Sequence, residues 1–346
     1  MNILFTCAGR RNYLLQYFKE ALNSEGKIFA ADSSSFAPAL FEADRAFVVP
    51  NVSDPKYIDT LISICEENRV NLLISLNDLE LPILAANFDR FRQIGTFPLV
   101  SSERVIDICF DKWKTVEYAT KIGISTPKTF LTLDDADKAI NDNSLRFPLV
   151  VKPRWGSASI CVEYAEDPEE LNYAYHLAHK RLFRSFLSAT SSVATTESLL
   201  IQEKLTGTEY GLDILNDLEG NFAAVFIKEK ISMRAGETDK AITRKNSALA
   251  IAGEKIARSL EHIGNLDCDF FVNEKGIFLL EMNPRFGGGY PFTHAAGANI
   301  PEAMVAWLRG EKADEALFDI KNGFFSAKCD RVIYPANGFL NHKEVS

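Results

Sequence analysis

The stretch Leu279–Pro291 reads LLEMNPRFGGGYP: an apolar run, then Glu281, Asn283 and Arg285 at alternate positions, then three glycines. Side chains alternate faces along a strand, so these three share one face if the strand runs that far, while Met282 points to the apolar side. One face of a core strand therefore ends in an anion, a neutral oxygen donor and a cation. Such a set suits a metal-bound phosphate, with oxygen ligands for Mg²⁺ and a guanidinium fork for the anion. Glycine in regular structure costs about 0.5–1 kcal/mol per residue relative to Ala. The run Gly287–Gly289 thus points to a tight backbone course or a close approach to a ligand.

Just upstream, CDFFVN (268–273) and IFLLEMN (277–283) flank Glu274-Lys275-Gly276, which predicts a hairpin. Paired strands bring Asp269 and Glu281 across from each other, with Asn283 nearby. Close carboxylates raise each other's pKa. A divalent cation removes that conflict, and Mg²⁺ takes one or two carboxylates and fills its shell with waters and phosphates. An acidic pair on the solvent side of an edge hairpin has the same sequence pattern, so that alternative stays open.

The whole chain has 346 residues, a formal net charge of −9 and 47% hydrophobic residues. Two or three domains with packed cores are expected. The acidic balance disfavours binding to nucleic acid through a broad basic surface. The apolar runs are too short for a membrane span, and the N-terminus lacks the order of a signal peptide, so a cytoplasmic protein is expected. Six scattered cysteines without CxxC spacing read as buried free thiols in a reducing compartment.

Residues 1–102 alternate strand-like and helical stretches. Strands are expected at 3–8, 27–32, 45–50, 70–76 and 96–101, and helices at Asn12–Leu22, Pro55–Asn68 and Leu79–Gln93. Single helices between strands imply a parallel sheet with right-handed crossovers, whose ligands sit at the carboxyl ends of the strands. Those ends carry Gly9-Arg10-Arg11, Asp32-Ser33-Ser34 and Asn77-Asp78-Leu79-Glu80. The turn AGRR is not GxGxxG, so no nicotinamide site is expected. Arg10 and Arg11 at a helix N-terminus suit a substrate carboxylate or phosphate, or a plain surface pair. Glu80 reads equally as a substrate contact and as part of a helix start.

A helix from Ser102 to about Gly123 carries Lys112. Then FPLVVKPRWGSASICVEYA reads as strand, loop, strand, with Lys152 near the end of the first strand. A helix from Pro168 to about Leu187 precedes the polar run 188–198, expected as a mobile surface loop. LLIQEKL (199–205), YGLDIL (210–215) and FAAVFIKEKIS (222–232) read as an antiparallel meander. A loop over 233–241 follows, then helices from about Asn246 to His262 and from Pro301 to Leu308.

The order Lys112, Lys152 before a small-residue loop, QEKLTGTEY, an Asp on a strand, then EMNPRFGGG resembles the ATP-grasp superfamily. Within it the chain is similar to the carboxyphosphate-forming half of carbamoyl-phosphate synthase large subunits and to stand-alone carboxylate–amine ligases. The resemblance covers roughly residues 1 to 310. It implies an α/β plus α+β protein: a Rossmann-like pre-ATP-grasp domain over 1–102, a small ATP-grasp subdomain over 103–187, and a C-terminal subdomain with the metal site over 188–346. ATP and Mg²⁺ (or Mn²⁺) are the implied cofactors. Lys112 and Lys152 would contact ATP phosphates, Glu203, Lys204 and Leu205 would form the hinge against adenine, and Glu209 would accept the ribose hydroxyls. Asp269 and Glu281 would hold one Mg²⁺, and Glu281 with Asn283 a second. Arg285 would stabilise the transferring phosphate, and Arg234 would lie on a phosphate-facing loop. The loop after Lys152 departs from many relatives in having a single glycine, where Ser157 and Ser159 would substitute. Arg10, Arg11 and Glu80 would border the acceptor pocket.

The expected reaction joins a small-molecule carboxylate to an amine or ammonia through an acyl phosphate, without nucleic acid or membrane, and the apolar N-terminal helices suit a homodimer. Other classes remain open: a regulatory nucleotide-binding protein without turnover, a partial enzyme needing a partner subunit, and a dinucleotide-dependent oxidoreductase.

Overall fold

The computed structural model describes residues 1–156, 160–185 and 187–335. Five strands open the chain: β1 (Asn2–Thr6), β2 (Lys27–Asp32), β3 (Arg45–Val48), β4 (Leu72–Ser75) and β5 (Phe97–Leu99). They form one parallel sheet in the order β3-β2-β1-β4-β5. Both faces are covered, which is why these strands read as nearly continuous apolar runs. Ile3 and Phe5 pack with Leu14, Leu15 and Phe18 of the helix Asn12–Leu22. Leu4, between them, packs on the other side with Tyr57, Leu61 and Cys65 of the helix Tyr57–Glu67.

Two helices expected as continuous are broken. The first divides at Asn87 into Leu81–Ala86 and Phe88–Gln93, and the Asn87 amide donates back to the Ile83 carbonyl at 2.9 Å. The second divides at Asp111, whose extended backbone ends Glu103–Phe110 and starts Lys112–Lys121. The Asp111 carboxylate accepts from the backbone N–H groups of Trp113 and Lys114 and so caps the new helix.

A four-stranded antiparallel sheet follows, with β6 (Thr129–Phe130), β7 (Leu149–Pro153), β8 (Glu163–Ala165) and β9 (Leu199–Glu203) in the order β6-β9-β7-β8. The six-stranded sheet holds β10 (Thr208–Asn216), β11 (Phe222–Arg234), β12 (Glu237–Thr243), β13 (Asn265–Asn273), β14 (Gly276–Asn283) and β15 (Phe325–Ala327) in the order β14-β13-β10-β11-β12-β15.

Three expectations need correction here. Leu199–Glu203 does not begin a meander with the strands after it; it pairs with β7, so the strand just beyond residue 188 completes the small sheet. Local alternation identifies a strand and leaves its partner open. The stretch 233–241 is mostly strand, because β12 folds back on β11 through a turn at Ala235 and Gly236, both with positive φ. The polar run 188–198 forms helical turns, Ser188–Ser191 and Ser192–Glu197, with Ser191 and Ser198 buried.

The helices spanning 103–121 pack on the large sheet: Val105, Cys109, Tyr118 and Ala119 share a core with Leu212, Leu266, Phe270 and Met282. On the opposite face Leu215 and Phe226 join the core of the first domain, while Lys228, Lys230, Asp267, Asp269 and Glu281 form the polar floor of the site.

Candidate functional site

The site begins where the chain passes from the small sheet to the large one. Lys204–Gly207 makes this passage between β9 and β10. Gly207 has φ +132°, and a Cβ there would stand 2.4 Å from the Val272 carbonyl oxygen, so the crossing needs glycine. Beside it lies a cleft of about 460 Å³ bordered by Lys112, Lys152, Glu203, Lys204, Leu205, Glu209, Asp269 and Glu281. Val150, Ile160, Val162 and Phe271 add apolar walls. Apolar walls together with lysines and carboxylates suit a ligand that has both an apolar and an anionic part.

Lys112 enters this cleft because of the break at Asp111. It is the first residue of its helix, and its backbone N–H donates to the Arg154 carbonyl at 3.1 Å. Arg154 grips the Asp111 carboxylate with two hydrogen bonds, Nε and Nη2 each at 2.8 Å. That bidentate pair ties the start of the Lys112 helix to the chain just after Lys152. Lys112 Nζ donates to the Gly156 carbonyl and stands 3.8 Å from Glu281.

The hairpin register sets Asp269 opposite Glu281 and Asp267 opposite Asn283. Burial, with the neighbouring Asp267 and Glu281 charges, pushes Asp269 up to about 7 despite the adjacent Lys230. Burial also works against the Glu281 charge, but Lys112, Lys152 and Lys230 outweigh it and hold that carboxyl below the usual range. Burial lowers Lys152 to about 8, with Lys112 beside it acting in the same direction. Among the described residues no three His, Cys, Asp or Glu side chains cluster to hold a metal on their own. The set Asp269, Glu281 and Asn283 is all oxygen and supplies two carboxylates and an amide. That fits Mg²⁺, which leaves most of its shell to waters and phosphates.

A second, smaller cavity of about 80 Å³ continues from these carboxylates towards Arg11, Glu237 and Arg285. Arg285 donates to Asp78 at 2.8 Å and lies 3.5 Å from Asp267. Its Nε is buried and has no acceptor among the described residues. The Tyr13 hydroxyl is likewise buried without a partner, and burial raises its pKa. The three glycines pass close to side chains: a Cβ on Gly287 would fall 2.1 Å from Asp267 Cγ, and one on Gly288 2.8 Å from Glu237 Cδ. The close approach foreseen for this run is therefore to charged side chains of the cavity wall.

Three residues singled out in the sequence stand elsewhere. Arg10 is 82% exposed and faces Asp330 at 3.6 Å. Arg234 is half-exposed at the β11–β12 turn, engaged with Asp239 at 2.9 Å and Asp330 at 2.6 Å. Glu80 is fully buried inside the parallel-sheet domain, where it accepts from Thr6, Tyr57 and Ser75 at 2.6–2.8 Å. Its neighbours satisfy it, and it lines neither of the two cavities. Ser157 and Ser159 lie outside the described residues. Arg11 does line the smaller cavity, held by the carbonyls of Leu76 and Phe286.

The sequence reading missed Lys230, Asp267, Glu237 and Arg154. Lys228 and Lys230 are two apart on β11 and so share a face, and the pairing through β10 puts that face on the side of Asp267 and Asp269; with Glu229 between them the sequence shows no apolar alternation there. At the first βα turn, Asp32 accepts from the backbone N–H groups of Gly9 and Ser34 at 2.9 Å each. Its carboxylate is thereby committed to the turn itself.

Residues 3–99 match the family described as PylC-like, N-terminal domain, and residues 195–329 match ATP-grasp in the biosynthetic pathway with Ter operon. The chain is 24% identical over 226 residues to the carbamoyl phosphate synthase large chain of Campylobacter jejuni, an alignment covering 63% of this chain and 20% of that protein. It thus spans about a fifth of the length of that relative. Among solved structures, the biotin carboxylase domain of Hydrogenobacter thermophilus 2-oxoglutarate carboxylase, in complex with MgADP, ADP and bicarbonate, superposes with a TM-score of 0.72 at 16% identity, covering 94% of this chain and 73% of that one. The L-amino acid ligase of Bacillus licheniformis superposes with a TM-score of 0.67 at 21% identity, covering 88% and 74%. With an oxygen-rich hairpin, paired lysines and an interstrand passage in this order, the chain has the ATP-grasp fold, its residues 195–329 are similar to an ATP-grasp family and its residues 3–99 to a PylC-like N-terminal domain.

Proposed function

We propose that the protein is an ATP-dependent ligase that joins a small-molecule carboxylate to an amine or ammonia. The observation that carries this reading is the convergence of Lys112, Lys152, Glu209, Asp269 and Glu281 on one cleft, with Arg285 in the adjoining cavity. The Glu203–Leu205 passage would hold the adenine edge and Glu209 the ribose. Lys112 and Lys152 would hold the phosphates. Asp269, Glu281 and Asn283 are the residues that would hold Mg²⁺, whose charge neutralises the phosphate oxygens. Arg234 lies at the tip of the β11–β12 turn and would reach the phosphates only from the cleft's edge.

In this scheme a substrate carboxylate oxygen attacks the γ-phosphorus and ADP leaves. The nitrogen then attacks the acyl carbon, phosphate leaves, and the nitrogen gives up a proton. No side chain need act as nucleophile. The chain's own contribution is to align the carboxylate with the phosphate, neutralise charge and exclude water. Arg285 suits the reacting end, because its unpartnered Nε offers a donor to an incoming oxygen. Arg11, between the GGG run and Glu237, suits a second anionic group.

The test is ADP release from Mg-ATP with pools of carboxylates and hydroxylamine as the nitrogen source. A hydroxamate from one pool, absent with Glu281→Gln, supports the ligase. Nucleotide binding with no ADP release from any pool, across broad sets of acids, counts against it and favours a binding protein without turnover.

A further inference from the structure

The polar face of the large sheet carries a cation to which the nucleotide scheme gives no role. Lys230 Nζ lies 2.6 Å from Asp269 Oδ1 and 2.7 Å from Glu209 Oε1, and its side chain is only 6% exposed. It reaches Asp269 by crossing β10, which separates β11 from β13. The crossing is possible because β10 has Gly211 at that point. A Cβ on Gly211 would stand 3.3 Å from the Cε atoms of both Lys228 and Lys230. Missing bulk on one strand and a buried ammonium from the next are thus two parts of one arrangement. Lys230 borders the smaller cavity together with Asp269, Glu281, Asn283 and Arg285.

The two acids of the hairpin are therefore unequal. Asp269 has an ammonium in direct hydrogen-bond contact. Glu281 has its ion-pair partner, Lys112, at 3.8 Å, beyond hydrogen-bonding distance. A divalent ion drawn to Asp269 meets an ammonium in direct contact, whereas one drawn to Glu281 and Asn283 meets a carboxylate whose nearest ion-pair partner stands 3.8 Å away. A lysine also has three donors, of which the two carboxylates take two, so a third remains for a phosphate oxygen.

We propose that Lys230 is a built-in cation of the phosphate site, standing where a second divalent ion would bind, so that the protein takes up one tightly held Mg²⁺ with its nucleotide, on Glu281 and Asn283. This rests on the nucleotide-site reading above and narrows its metal set, because Asp269, already engaged by Lys230, is then not a ligand of the tight ion. Lys230 also links the residue expected to hold the ribose, Glu209, to the acidic hairpin, so nucleotide and metal binding share one charged contact.

The experiment counts Mn²⁺ by electron paramagnetic resonance, using the non-hydrolysable analogue AMP-PNP with the full chain in excess, after calorimetry has established analogue binding. The wild type should hold one Mn²⁺ per complex, with a second at least tenfold weaker. Lys230→Met, which keeps the stem and removes the charge, should hold two of similar affinity. Asp269→Asn should retain the single tight ion, and Glu281→Gln should lose it. Two equally tight ions in the wild type overturn the proposal while leaving the nucleotide site intact. So does loss of the tight ion in Asp269→Asn, and that result decides the matter even if Lys230→Met fails to fold. Absence of analogue binding overturns the nucleotide-site reading itself, and this proposal with it.

Discussion

Arg285 Nη2 donates to Asp78 Oδ2 at 2.8 Å, joining the end of the β13–β14 hairpin to the carboxyl end of β4 across 207 residues of sequence. Both side chains are nearly buried, at 7% and 10% exposure, and Asp267 lies on the other side of the guanidinium at 3.5 Å. The first domain thus holds Arg285, which lines the smaller cavity together with Arg11.

Removing the cation from this contact leaves two carboxylates facing each other. Breaking a buried pair costs about 3–5 kcal/mol, so Arg285→Met should lower the thermal midpoint by many degrees. Asp78→Asn keeps a hydrogen-bond acceptor and should be milder for stability. It should still lower kcat of the carboxylate-dependent ADP release about tenfold or more, with KM for ATP nearly unchanged. A loss confined to KM for ATP argues against a role for this contact at the reacting end.

Nucleotide affinity should depend on pH through Lys152, whose ammonium is destabilised by burial and titrates at about 8 without ligand. Bound phosphate favours the ammonium, so binding takes up a proton above that pH. Affinity should be flat from pH 6.5 to 7.5 and fall by about tenfold per unit above pH 8, since one pKa unit corresponds to about 1.4 kcal/mol. Calorimetry in buffers of different ionisation enthalpy reads the proton directly. Lys152→Arg should flatten the profile. For the ligand-free protein the sign is opposite. The unfolded chain binds more protons at Lys152 between about 8 and 10.5, so stability rises with pH across that window.

Acid should destabilise the fold through His262. This ring is fully buried; Nε2 lies 3.1 Å from the Ile214 carbonyl, and burial lowers its pKa from 6.5 to about 4. Below 6.5 the unfolded chain takes the proton and the folded chain resists it. The stabilisation is complete above pH 6.5 and is lost as pH falls towards 4, by on the order of 3 kcal/mol. Urea unfolding at pH 7, 5.5 and 4.5 measures the slope, and His262→Gln should remove part of it. An unchanged slope in the variant assigns the acid sensitivity to other groups.

Glu80 should prove structural. Glu80→Ala strands the hydroxyls of Thr6, Tyr57 and Ser75, each costing about 1–3 kcal/mol when buried without a partner. Glu80→Gln retains part of the network and should cost less. Neither should change nucleotide affinity in protein that remains folded. A selective loss of carboxylate-substrate affinity in folded Glu80→Gln would return this residue to the substrate site.

The parallel βα alternation of the first hundred residues, the hairpin that ends in Glu281 and Asn283, and the order of lysines, passage and acids are all legible in the amino-acid order. These are local signals: strand and helix periods, a glycine-bearing turn, and side-chain parity along one strand. Which strands pair is a matter of long-range packing. β9 joins β7 in the small sheet, although the residues after it run in the large one. The same packing encloses Glu80 with hydroxyls, and draws Arg10 and Arg234 to Asp330 while Arg11 faces the cavity. Lys230 shows the reason most plainly. Its parity on β11 is legible, but its contact with Asp269 depends on a strand between them, on Gly211 being the residue at the crossing, and on a register set by packing of the opposite face. Charges find partners through space, and the distances that set their pKa values and their availability to a ligand arise only once distant strands have been laid side by side.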